Sequence, residues 1–203
     1  MPWKILKSEI VLKNKFFSIK KDKCQKTDNK IVNNYFTVNR PEVAVIAAFT
    51  PQKKLIIINQ YRHPVKSLDY ELPAGYLEPH DTNITQAAQR ELLEETGYKA
   101  AKLKKIHETY ASAGFMNNRV HFFIGFNAKK IQKQQLDESE ELTVHLLSFK
   151  KALKLLKEEK IKDLGSVAGI LLVKEYLTAP PRRGYKTRSF AKRKTPYPTH
   201  AKS

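Results

Sequence analysis

The sequence predicts an α/β sandwich built on a mixed sheet, with a small antiparallel β region in front. Three observations predict it. Two continuous apolar runs, residues 43–49 and 55–61, have the composition of strands buried on both faces, with helices packed over them. Residues 85–96 form a helix, with Ala88, Leu92 and Leu93 on one side and Gly97 where a C-cap belongs. Residues 150–177 give two more helices, broken around Asp163-Leu164-Gly165.

The elements follow in chain order. Short β-like pieces at 9–12, 16–19 and 34–38 are separated by Lys13-Asn14-Lys15 and the Asp28-Asn29-Lys30 turn. Such a sheet is too small to stand alone. Arg40-Pro41 marks a break, and residues 50–54 form the turn between the two apolar strands. Glu71-Leu72-Pro73-Ala74-Gly75 leads into a polar loop before the first helix. A strand pair at 103–110 and 120–126 comes next, then an acidic loop at 137–141 and a strand at 142–147. The expected organisation is an N-terminal β region over 1–40, an α/β domain over 41–178 and a basic disordered tail over 179–203.

Composition narrows the function. The chain has 203 residues, and 41% hydrophobic content is enough for a real core. No run is long and apolar enough for a membrane span, and residues 1–7 do not resemble a signal peptide, so a cytoplasmic protein is expected. The lone Cys24 excludes an internal disulfide framework and a Cys-based zinc cluster. Six histidines show no paired ligand spacing. Net charge is +18, and residues 180–203 carry eight bases and no acid, leaving +10 on the rest. A tail of this kind either contacts RNA, DNA or an acidic surface, or is a solvated extension.

The chemistry lies in Arg90-Glu91-Leu92-Leu93-Glu94-Glu95-Thr96-Gly97. On a helix, Glu91, Glu94 and Glu95 project to one side, where three carboxylates repel unless solvated or joined by a cation. Oxygen donors at this density suit Mg²⁺ or Mn²⁺, and an unpaired Ala74 carbonyl would add a ligand. The alternative is a solvated acidic face with Arg90 pairing Glu94. Upstream, Gly75 lets the backbone turn against a ligand.

Loop, helix, Arg-Glu and Glu-Glu-Thr-Gly in this order resemble the Nudix box of the Nudix hydrolase family. Asp81 stands where the family has Glu, eight residues rather than seven separate it from Arg90, and Tyr98 replaces an aliphatic residue. The resemblance runs from about residue 3 to 177. Asn59-Gln60-Tyr61-Arg62, Glu71-Leu72-Pro73-Ala74-Gly75 and residues 138–144 look like the ADP-ribose pyrophosphatase branch. After the box, Ser112-Ala113-Gly114-Phe115 and Asn118 stand where that branch has Ser-Pro-Gly-Phe and an acid.

The resemblance implies a Nudix-type α/β/α sandwich and a Mg²⁺-dependent (or Mn²⁺-dependent) pyrophosphohydrolase. Its substrate would be a nucleoside diphosphate derivative, foremost ADP-ribose, split to AMP and ribose 5-phosphate. Glu91, Glu94, Glu95 and Ala74 are the expected metal ligands. Glu140, with Glu138 close by, would activate water, and Arg90 would orient the carboxylates. Arg62, Glu71, Phe17, Gly114 and Phe115 are the expected substrate contacts. For Arg62 the alternative is a salt bridge to Glu71, and for Phe16 or Phe17 it is core packing. A homodimer exchanging its N-terminal β regions is implied. Competing readings are a Nudix enzyme acting on a nucleotide sugar, dinucleotide or RNA 5′ end, and a nucleotide- or RNA-binding module without catalysis.

Overall fold

The computed structural model describes residues 2–138 and 140–179; the basic tail lies outside the described residues. Strand β4 (Val43–Ala48) runs parallel to β10 (Arg119–Phe126). Antiparallel neighbours β7 (Ala74–Tyr76) and β9 (Lys102–Tyr110) complete a mixed sheet of order β7-β4-β10-β9. A second sheet has the order β12-β5-β6, from Leu142–Ser148, Lys54–Arg62 and Ser67–Glu71.

Alternation along these strands divides the core in two. Ala44, Ile46 and Ala48 of β4, with Ile56 and Phe123, pack under α1 (Ile84–Thr96) through Ala88 and Leu92. Val45 and Ala47, with Leu55, Ile57, Phe122 and Ile124, face α2 (Phe149–Lys157) and α3 (Leu164–Thr178) through Ala152, Leu155, Ile170 and Val173. Each fully buried Leu, Ile or Phe contributes about 1.5–3 kcal/mol. The result is the expected α/β/α sandwich.

Both helices that flank the cleft are capped at their N-termini. Asn83 Oδ1 accepts from the N–H groups of Thr85 and Gln86, both at 3.0 Å. At the other end of α1, Gly97 has φ 75°, and its N–H donates to the Leu93 carbonyl at 2.8 Å. Asp163 Oδ2 accepts from Ser166 N at 2.7 Å to start α3, and Ser166 Oγ accepts from Leu72 N at 2.9 Å. Buried Asp69 on β6 accepts from Lys162 N at 3.0 Å and Asp163 N at 2.8 Å, fixing the turn before α3 to the sheet.

The N-terminal sheet, β1 (Lys4–Lys13), β2 (Ser18–Gln25) and β3 (Ile31–Asn39), is antiparallel as expected. One detail is corrected: Phe16 and Phe17 are in a tight turn rather than a strand. Asn14 Oδ1 accepts from their N–H groups at 2.8 and 2.9 Å, which holds the chain in the turn until Ser18. The sheet docks on the loop after β9, with Val38 N donating to Phe115 O at 2.9 Å and Tyr35 Oη to Gly114 O at 3.1 Å. β1 is exposed along its whole length, including Ile5, Leu6, Ile10, Val11 and Leu12. Two strands inside expected loops (β6 and β7), and the ribbon β8 (Tyr98–Lys99) with β11 (Lys129–Lys130), add to the elements read from sequence.

Candidate active site

A cleft of about 690 Å³ opens at the Val43 end of β4, between α1 and the start of α3. Gly75, Glu91, Glu94 and Glu95 form one wall, Asp163, Leu164 and Gly165 another, and the Arg62–Glu71 pair lies between β5 and β6. The helix period brings the three glutamates to the same cleft, as the sequence implies. Glu95 is 3% exposed and Glu91 9%.

Gly75 makes this arrangement possible. A Cβ built there would lie 1.9 Å from the Glu91 carboxyl carbon, so only glycine allows Glu91 to lie against the backbone of β7. Glu95 Oε2 accepts from Ala74 N at 3.0 Å. Burial pushes the Glu91 carboxyl up to about 7; Arg90 opposes the rise, while Glu94 and Glu140 add to it. Burial raises Glu95 far above its ordinary range, and repulsion from Glu91 and Glu140 raises it further.

Arg90 is the hub of the wall. Nη1 lies 2.8 Å from Glu94 Oε2 and 2.9 Å from Glu91 Oε1, and Nη2 donates to the Tyr76 carbonyl at 2.8 Å. Nη2 also lies 3.0 Å from Asp81 Oδ2, which in turn accepts from Glu78 N at 3.0 Å. Asp81 therefore ties the loop to α1 despite its shorter side chain. Burial works against the Arg90 charge, but Asp81, Glu91 and Glu94 more than compensate and keep it protonated.

Arg62 grips Glu71 with two nitrogens, Nε to Oε1 at 2.7 Å and Nη2 to Oε2. Burial raises the Glu71 carboxyl and Arg62 opposes that rise. The salt-bridge reading of Arg62 is thus realised, yet 43% of its side chain remains exposed, so the guanidinium still has a free edge. Glu140 closes the site from a loop whose Gln135 N–H donates to Glu94 O at 2.8 Å and whose Gln134 Nε2 donates to Glu95 O at 2.7 Å. Glu140 Oε2 accepts from Asp137 N at 3.1 Å.

Of the expected site residues, the cleft gathers Ala74, Glu91, Glu94, Glu95, Arg90, Glu140, Arg62 and Glu71. Glu138, Phe17, Gly114 and Phe115 do not line it. Glu138 is exposed, Phe17 is in the β1–β2 turn, and Gly114 and Phe115 hold the N-terminal sheet. Sequence reasoning passed over Arg40, Tyr76 and Asp163 as cleft residues. Arg40 lies 4.8 Å from the Tyr76 ring centroid. An arginine beside Pro41 at the junction of two β regions was the available signal.

The donor set fits a hard divalent cation. It consists of oxygens, and burial and mutual repulsion burden it with charge that Arg90 offsets only in part. Among the described residues no three such side chains are already gathered as a ligand group. Glu91 leans on Arg90 and Glu95 on the Ala74 N–H, so a cation would take over from these donors.

Fold and site together define a Nudix-type hydrolase. A NUDIX domain model matches residues 38–166, and the chain belongs to that family. It is 37% identical over 145 residues to the ADP-ribose pyrophosphatase of Bacillus subtilis (strain 168), covering 70% of this chain and 78% of that one. It is 30% identical over 173 residues to the methanol dehydrogenase activator of Bacillus methanolicus, covering 82% and 92%. The crystal structure of an ADP compounds hydrolase shares the fold, with a TM-score of 0.76 at 21% identity over 87% of this chain and 95% of that one.

Proposed function

We propose that the protein is a cytoplasmic, metal-dependent pyrophosphohydrolase that converts ADP-ribose to AMP and ribose 5-phosphate. One observation carries this reading: Glu91, Glu94, Glu95 and Glu140 converge with Arg90 and Arg62 in one cleft of about 690 Å³, of the right size for a nucleoside diphosphate derivative. The name of the Bacillus subtilis relative supports the choice of substrate.

Mg²⁺, or Mn²⁺ in its place, held by Glu91, Glu94, Glu95 and the Ala74 carbonyl, supplies charge neutralisation for the phosphate oxygens and a more acidic water. The protein's own groups do the rest. Glu140 accepts the proton of the attacking water as its oxygen bonds to phosphorus. The bridging P–O bond breaks, and the leaving phosphate departs with that electron pair. Arg90 holds Glu91 and Glu94 in place, and Arg62, oriented by Glu71, offers its free edge to the diphosphate.

The exposed apolar length of β1 supports a homodimer in which the N-terminal sheets pair. That arrangement carries Phe17 toward the partner's cleft, with Gly114 and Phe115 seating the sheet that delivers it. The basic tail would make nucleic-acid contacts.

The test is product analysis on ADP-ribose, a nucleotide sugar and a diadenosine polyphosphate, with Mg²⁺ and then with EDTA. ADP-ribose should give AMP and ribose 5-phosphate in equal amounts, at least ~10-fold faster than the other substrates, and EDTA should abolish turnover. Preference for another substrate overturns the ADP-ribose assignment. Folded protein that turns over none of them overturns the enzyme reading.

A further inference from the structure

The end of the sheet opposite the cleft is strongly basic. The cleft is lined by Val43, Val45, Val120 and Phe122 of the parallel pair β4–β10, and the register runs from Val43↔Val120 to Ala48↔Gly125. Five steps along a strand separate the two ends by roughly 15–20 Å. Residues 97–136 carry eight bases and a single acid, Glu108. Lys105 and Arg119 neutralise that acid, at 2.5 and 2.9 Å. The other six, Lys99, Lys102, Lys104, Lys129, Lys130 and Lys133, are exposed, and none forms an ion pair with a carboxylate of the described residues.

Their placement breaks a packing rule. In the ribbon of β8 and β11, Lys99 sits directly across from Lys129. Like charges in that position destabilise a strand pair, and no acid here compensates. A local conflict without a structural gain is the mark of a surface kept for something else. Between the two lysines lies an open depression of about 640 Å³, lined also by Pro51, Ala101, Asn127 and Ile131. Lys104 Nζ donates to Tyr176 Oη at 3.1 Å, joining this face to the last turn of α3.

We propose that this lysine face binds single-stranded nucleic acid. Ammonium groups on flexible stems suit a phosphate backbone whose exact path varies. The open apolar depression between Lys99 and Lys129 accepts an unstacked base. An apolar depression set between two lysines favours nucleic acid over an acidic protein, which has no bases to seat there. The inference is independent of the hydrolase reading because the face is at the other end of the sheet.

The test uses the full-length chain and a fluorescein-labelled oligouridylate, with binding followed by anisotropy across a salt series. A variant carrying K99Q, K102Q, K129Q and K130Q is compared with one carrying K150Q, K151Q, K154Q and K157Q, which loses equal charge from exposed positions of α2. The first should weaken binding by at least ~10-fold and flatten the log–log salt slope by roughly 2–3, at about 0.7 per lost phosphate contact. The second should stay within ~2-fold of the parent. Equal weakening by both sets, or none by the first, overturns the proposal. So does a polyglutamate peptide that binds as tightly and responds to the same four substitutions, which assigns the face to acidic proteins. ADP-ribose hydrolysis measured on the same samples reports folding, and its absence in the parent counts against the hydrolase reading alone.

Discussion

Two groups of carboxylates converge in this molecule; burial disfavours the charge in both, and they differ in whether neighbouring cations outweigh it. Around the cleft, Glu91 and Glu95 are pushed up by burial and by each other. At the start of β10, Glu42 and Glu108 flank buried His121, with Nε2 2.7 Å from Glu42 Oε2 and Nδ1 3.4 Å from Glu108 Oε2. Glu42 is held below its ordinary range by the His121 hydrogen bond. Burial works against charged Glu108, but Lys105, His121 and Arg119 outweigh it. The second group brings its own cations in Lys105 and Arg119. The first is short of positive charge, and that shortage marks a site built for a cation and a phosphate.

The sharpest way to break this contrast is to neutralise one member of each group. Glu95→Gln should lower turnover by at least ~10²-fold while thermal stability holds or rises, because a buried, repelled carboxyl is removed. Glu42→Gln should leave turnover within ~3-fold of the parent and lower stability instead. Near-parental rates in Glu95→Gln would remove α1 from the catalytic machinery.

The second comparison is thermal shift with and without millimolar Mg²⁺. A carboxyl whose folded pKa is raised favours the folded state below its unfolded pKa, and that support is lost as pH climbs through the folded value, about 7 for Glu91. The metal-free protein therefore loses stability across that interval, and Mg²⁺, competing with the proton, should raise Tm more above pH 7 than below it. A gain that is flat with pH would place the ion elsewhere.

The smallest effect belongs to the histidine group. Glu42 is depressed, so its contribution is present above its ordinary value of 4.5 and is lost as pH falls through the lower folded value. At neutral pH Glu42→Gln should cost no more than about 2–4 °C in Tm, because this carboxylate is largely screened by solvent. The difference from the parent should close in acid. A difference that persists there would mean that packing, rather than charge, holds Glu42.

What was legible in the sequence follows from which interactions are local. The glutamate face of α1 needs only the helix period, and Asn83 and Gly97 act within their own turns. Residues 43–49 and 55–61 read as doubly buried strands, and the structure alternates them between two helical layers. β6 stayed hidden because its buried positions are Asp69 and Glu71, whose partners come from Lys162, Asp163 and Arg62. A polar strand satisfied from distant chain is indistinguishable from a loop in one dimension. The approach of Glu140 and Arg62 to α1 likewise depends on the finished fold, as does the docking of the N-terminal sheet on Gly114 and Phe115.

The Asp69 carboxylate has a consequence for how length is measured. It binds the backbone before α3, and α3 returns through Ser166 to Leu72, one residue beyond Glu71. The wall at Leu164 and Gly165 and the Arg62–Glu71 pair thus belong to one closed circuit of hydrogen bonds. The facing wall is clamped to its loop by Arg90. Neither jaw can slide without breaking several bonds at once, so the gap acts as a fixed gauge.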